Sequence, residues 1–259
     1  MNRSRLLVAL LLPPLAVGYG THKGLSFLEA KYPPLDPETT SSVTLRTPTR
    51  RQSRRCAYVD VYGARIPLKL LLANDSTTVE HTTSTSLQEV WARALLSSPI
   101  MRTQASVFGF LGGKGYTPGD LGDSPAGFAP DERTGSPRSL LHGAFTVEQA
   151  PGGENGNGGN GLLVSWTMPD DLREFFEKIA RWGYPWRLMS GGRHEMSVSE
   201  PFFLGGEAWV EVRFSSAHDY EIVEGEKTQK IIPDWTGRLH RGYARLVLDD
   251  AVRNLEKKS

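Results

Sequence analysis

The C-terminal part of the chain constrains the fold most. It reads strand, helix, strand, strand, and closes with one long helix. Residues 208–223 put Val210, Val212, Phe214, Ser216, His218, Tyr220 and Ile222 on one face of a strand, and Trp209, Glu211, Arg213, Ser215, Asp219 and Glu221 on the other. An apolar face that ends in a histidine and a tyrosine reads as the wall of a cavity with a polar end. No motif names the ligand.

The remaining elements extend this pattern. β-branched and aromatic alternation predicts a strand over 57–62. Ser86 and Glu89 form a capping box ahead of a helix with the stripe Val90, Trp91, Ala94 and Leu95. Pro99 breaks that helix, and a second helical run covers 100–111. Strands are expected at 143–147 and 162–168, and a helix at 170–182 with the stripe Leu172, Phe175, Phe176 and Ile179, closed by Gly183. The strand 193–199 sends His194, Met196 and Val198 one way, and Arg193, Glu195 and Ser197 the other. The last helix opens on Asp234 as N-cap, with the stripe Trp235, Leu239, Tyr243, Leu246, Val247, Ala251 and Leu255. The expected class is α+β, an antiparallel sheet wrapped on a long C-terminal helix, in one domain over 57–257. Loop insertions fall at 112–139 and at 151–161, the latter with six glycines in eleven positions.

The N-terminus has a different character. Arg3 and Arg5 precede an apolar, leucine-rich run, which predicts a signal peptide or signal anchor over 1–28 and entry into the secretory pathway, to the endoplasmic reticulum membrane or beyond it. A mitochondrial presequence is the alternative. On the secretory reading Asn74 is a glycosylation acceptor. Residues 29–56, rich in Pro, Ser, Thr and Arg, read as a disordered stalk. Residues 1–55 hold nine Lys/Arg against three Asp/Glu and the rest 21 against 26, a balance of +6 and −5. The mildly acidic body argues against a nucleic-acid partner. Cys56 is the only cysteine, which excludes an intrachain disulfide and cysteine-based metal clusters.

In element order the chain resembles the helix-grip, or START-like, superfamily, which includes lipid-transfer domains and aromatic polyketide cyclases. The resemblance covers 57–257, and the inserted helix 170–182 departs from it. It implies a hydrophobic small molecule or lipid held between sheet and C-terminal helix, with Met196, Val212, Phe214, Trp235 and Tyr243 as lining.

His194 and His218 fall on the apolar faces of strands adjacent in sequence, with Tyr220 close by. Imidazoles beside a phenol move protons on an enolisable substrate, so these three are the candidate catalytic residues. Two half-buried histidines bonded to backbone are the plainer alternative. No His pair has tight metal-ligand spacing and no G-x-S-x-G elbow is present, so neither a metal nor another cofactor is expected. The sequence thus points to a small-molecule-binding protein of secondary metabolism, of cyclase or isomerase type. The alternative is a non-enzymatic, membrane-associated scaffold or assembly factor, suggested by the N-terminal run and the aromatic corner 182–186.

Overall fold

The computed structural model describes residues 3–48, 50, 52–73, 84–124, 126–152 and 161–258, with backbone alone for 3–16, 84–86 and 258. The expected sequon at Asn74, the Ser86 side chain of the capping box and residues 153–160 of the Gly/Asn insertion lie outside the described parts. The strands are β1 (Arg54–Pro67), β2 (Ser139–Leu140), β3 (Phe145–Gln149), β4 (Leu162–Thr167), β5 (Gly191–Val198), β6 (Phe202–Leu204) and β7 (Glu207–Glu221). The helices are α1 (Arg3–Lys31), α2 (Pro37–Thr40), α3 (Val43–Arg46), α4 (Leu68–Leu72), α5 (Ser84–Leu96), α6 (Pro99–Leu111), α7 (Asp170–Arg181) and α8 (Asp234–Lys258). The strands form one antiparallel sheet in the order β1-β7-β5-β4-β3-β2, with β6 hairpinned onto the start of β7. The class is α+β, as expected, with α8 packed on the sheet.

Register decides which side chains meet. β7 is central, pairing β1 on one side and β5 on the other. Val210, Val212 and Phe214 of β7, Met196 and Val198 of β5 and Ile66 of β1 share one core with Trp91 and Leu95 of α5 and Val247, Leu248, Ala251 and Leu255 of α8. Each such buried aliphatic contributes about 1.5–3 kcal/mol by leaving water.

The large apolar residues of α8 are arranged differently from the expected stripe. Trp235, Leu239, Tyr243 and Leu246 are exposed. The inner face is Gly237, Ala244, Val247, Leu248, Ala251, Val252 and Leu255, with the charged Arg245 and Asp249 buried among them. Small residues let the helix lie close to its neighbours, and the two charges are satisfied locally. Arg245 donates to Tyr32 O at 2.9 Å, and Asp249 accepts from Lys31 and Tyr32 at 2.6 and 2.8 Å. In α7 the inversion is similar. Leu172 and Phe175 are exposed, while Glu177 is buried against Arg187, which also pairs with Glu226 at 2.8 Å.

Residues 29–48 are folded against the body, unlike the disordered stalk expected over 29–56. α2 and α3 are capped by Asp36 and Ser42. Leu45, with none of its surface exposed, packs on Leu163 and Ala217, on the face of the sheet opposite α8. Ser42 N donates to Glu195 at 3.2 Å, and Arg193 donates to Thr44 O at 3.2 Å. Polar contacts of this kind carry no hydrophobic period, so the segment resembles a linker in composition. Its docking makes β5 and β7 covered on both faces. Leu45→Ala is therefore expected to lower stability by about 2–5 kcal/mol, as for other buried leucines, measured by urea unfolding. A change within a few tenths would mean that the segment is only loosely attached.

The α1 helix also crosses the expected boundary at residue 28. Leu28 and Tyr32 are buried in the main core, and Leu25 lies against Gly242 of α8, where a Cβ would come within 2.0 Å of it. No helix among the described residues is long and apolar enough to cross a membrane.

Candidate functional site

Two rows of residues cross the α8-facing side of the sheet at one end. The first runs Tyr58 (β1), His218 (β7), Gly192 (β5) and Trp166 (β4). The second runs Asp60, Ser216, His194 and Val164. Opposed residues of an antiparallel sheet share a face, so this register gathers Tyr58, Asp60, Ser216, His194 and His218 onto one patch. Farther along the strands the same face becomes apolar, at Phe214 and Met196 and then Val212 and Val198. His240 of α8 completes the group from above.

The polar groups form a chain. Ser216 Oγ lies 3.0 Å from His194 Nδ1 and 3.4 Å from His218 Nε2, and His218 Nε2 lies 2.7 Å from His240 Nε2. Across the last contact one imidazole donates and the other accepts. The His218 ring is stacked on Tyr58 at 4.4 Å and meets His240 edge-on at 4.6 Å. His194 is ringed by Phe145, Trp166 and Phe214, with centroids 5.2–6.2 Å away. Gly192 makes room for this packing. A Cβ there would stand 2.2 Å from Ala217 O and 3.0 Å from the Trp166 indole nitrogen. Gly192→Ala should therefore cost about 1–3 kcal/mol through forced backbone movement. Alanine accommodated with unchanged stability and unchanged His218 ring resonances by NMR would sink that claim.

Burial sets the electrostatics. It holds the His194 imidazole down to about 3, with His240 adding to the effect, and holds His218 well below the ordinary imidazole range. His240 is lowered too, by burial and then by Arg241. All three are neutral at neutral pH. Burial pushes the Asp60 carboxyl up while Arg241 and Arg245 pull it down, and burial raises the Tyr58 and Tyr62 phenols. Four buried atoms here, Tyr58 Oη, Asp60 Oδ2, Tyr62 Oη and His218 Nδ1, make no hydrogen bond of good geometry, although Asp60 and Tyr62 face each other, Tyr58 faces Tyr220 and the His218 ring faces the Tyr58 backbone. Partners of such poor geometry satisfy these groups only in part.

Of the residues singled out in the sequence, His194 and His218 come together through Ser216. Tyr220 is buried one pair further along β7, its Oη accepting from Ile232 N at 3.4 Å, with its ring 6.5 Å from Tyr58. Met196, Val212 and Phe214 are packed in the core beside the patch. Trp235 and Tyr243 are on the outside of α8, and Tyr243 donates to Gln104 of α6. No group of three His, Cys, Asp or Glu among the described residues is arranged to hold a metal ion.

Tyr58, Asp60, Ser216 and His240 were not identified from the sequence as site residues. The first three lie on the correct parity of their strands and become visible once β1 is paired with β7. The signal for His240 is its place on the small-residue side of α8, with Gly237 and Ala244. Comparison with protein-family models, with curated proteins and with solved structures finds no match for this chain.

Proposed function

We propose that the protein binds a hydrophobic small molecule at the seam between sheet and α8, with the Tyr58, Asp60 and His218 patch taking the polar end of the ligand. The observation that carries this reading is the set of poorly satisfied buried groups, Tyr58 Oη, Asp60 Oδ2, Tyr62 Oη and His218 Nδ1, beside an apolar wall. Hydrogen-bonding groups without well-placed partners inside a protein are costly, and a polar ligand group would satisfy them better. A sheet with a long C-terminal helix packed on it is compatible with a START-like, helix-grip frame, whose members hold lipids and polyketides at this place. The imidazoles linked through Ser216 are neutral but, held well below the usual range by burial, are weak bases, so the patch suits hydrogen bonding to a ligand better than proton abstraction from it.

Native mass spectrometry of the purified protein tests the reading, followed by thermal shift with fatty acids, sterols and aromatic polyketides. A bound hydrophobic species is expected, with its stabilising effect cut about tenfold or more in affinity by Tyr58→Phe or His218→Gln. An empty protein, no shift with any compound and variants more stable than wild type would make the cluster purely structural.

A further inference from the structure

Charge is unevenly matched around the patch. Among the described residues, the buried and half-buried arginines pair with carboxylates, as Arg54 does with Glu221 and Arg193 with Asp219, with three exceptions. The exceptions are Arg55, Arg241 and Arg245, and all three stand beside tyrosines on the α8-facing side of the sheet. Arg55 lies over Tyr220, 5.8 Å from its ring centre, and donates to Gln229 O at 3.3 Å. Arg245 lies over Tyr62 at 4.1 Å and donates to Tyr32 O. Arg241, one turn earlier on α8, is half-buried, and its side chain makes neither hydrogen bond nor ion pair among the described residues. Its charge acts on Tyr58, Asp60, Tyr62, His218 and His240.

The carboxylates around them do not balance Arg241 and Arg245. Glu29 acts on Arg245 but is ion-paired with Arg238 at 2.8 Å. Asp249, one turn beyond Arg245, accepts from Lys31 and Tyr32 and pairs with Arg253. Asp60 feels both guanidiniums and forms an ion pair with neither, facing Tyr62 instead. The three imidazoles are neutral and add no charge of either sign. Two guanidiniums one turn apart thus converge on one carboxylate, with the phenols of Tyr58 and Tyr62 on either side of it along β1. Cations drawn out of water without a full counter-charge are costly, and an incoming anion relieves that cost.

Building on the hydrophobic-ligand proposal above, we infer that the polar end of the ligand is an anion, a carboxylate or phosphate on an apolar tail, held by Arg241 and Arg245 beside Asp60. The planar guanidinium fork matches either group through two parallel hydrogen bonds. The Tyr58 and Tyr62 hydroxyls add neutral donors. A sterol or another uncharged lipid would leave both cations without counter-charge. Hydrophobic acids are therefore the class of ligand, and neutral molecules with the same tail are discriminated against.

The test compares decanoate, decyl phosphate and decanol, which share one tail, by thermal shift and native mass spectrometry of the purified protein. At least one of the two anions is expected to bind about tenfold or more tightly than decanol. Arg241→Gln should bring that anion to within about twofold of the alcohol. The variant breaks no ion pair, so the empty protein should melt no lower than wild type. Arg241→Lys keeps the charge but loses the fork, and should retain part of the preference. Equal binding of anions and alcohol by the wild type overturns the anion site and leaves the hydrophobic-ligand proposal standing. A preference that survives in both Arg241→Gln and Arg245→Gln does the same. If none of the three compounds binds, the hydrophobic-ligand proposal fails, and inorganic phosphate decides the anion site alone. Compared with chloride at equal ionic strength, phosphate should raise the melting temperature of wild type more than that of Arg241→Gln. Equal rises overturn the site.

Discussion

Replacing Asp219 with alanine is expected to remove about 3–5 kcal/mol of folding stability, a large share of the roughly 5–15 kcal/mol typical of a domain. Asp219 Oδ1 accepts from Arg193 Nη2 at 2.7 Å, and the two side chains are 3% and 1% exposed. Among the described residues, the other hydrogen bond of Arg193 goes to Thr44 O. Without the carboxylate a buried guanidinium is left under α3 with no counter-charge, and that desolvated charge sets the size of the effect. Urea unfolding of Asp219→Ala measures it. The double variant Arg193→Met, Asp219→Leu should recover most of the loss, because removing both charges removes the desolvation cost with them. A single variant within about 1 kcal/mol of wild type would show that the pair is hydrated in solution.

Acid should destabilise the fold through its neutral histidines. The sign follows from the direction of the shifts. His194 and His218 have folded-state values held below the unfolded value of about 6.5, so the unfolded chain takes up protons first as pH falls. The stability they support is intact above about pH 6.5 and is lost on going down, for His194 as far as about pH 3. His194 costs about 1.4 kcal/mol per pH unit across that window, or about 2 kcal/mol at pH 5, and His218 acts in the same direction. Asp60, Glu195 and Asp219, with carboxyls raised chiefly by burial, act in the opposite sense. The histidine contribution is therefore read as a difference. The slope of stability against pH between 6 and 4 should be shallower in His194→Gln by about 1.4 kcal/mol per pH unit. Parallel slopes would mean that His194 is hydrated and titrates normally in the folded protein.

The same residues show what periodicity can reach. Strand parity alone placed His194 and His218 on the face of Met196, Val198, Val212 and Phe214, because the side-chain period of a strand is two and tolerates no drift. It also put Arg193, Glu195 and Asp219 on the opposite face. Parity does not say whether that face meets water, and here α2 and α3 cover it. Neither helix has an apolar stripe. One leucine, Leu45, and a few backbone-to-side-chain hydrogen bonds hold them in place.

On helices the same reasoning held for the α5 stripe and for Val247, Ala251 and Leu255 of α8, and failed on α7 and the first half of α8. Size and hydrophobicity put Trp235, Leu239 and Tyr243 inward on α8 and Leu172 and Phe175 inward on α7. In the structure α8 approaches the sheet and α1 through Gly237, Gly242, Ala244 and Ala251, and its buried charges are paired with α1. α7 likewise buries Glu177 on Arg187. A helix turned by a pair of salt bridges leaves its aromatics outside, and partners far apart in sequence are invisible to a local pattern.

The sequence by itself determined the order of the long strands and helices from β1 onward, the α+β class and the strand faces, because each follows from local backbone geometry and a fixed side-chain period; the short elements α2, α3, α4, β2 and β6 escaped it. Tertiary structure alone decided the rotation of α7 and α8, the docking of residues 29–48 and the meeting of His240 with His218. Those depend on which distant groups satisfy one another once water is excluded, and burial of paired polar groups leaves no periodic trace in the chain.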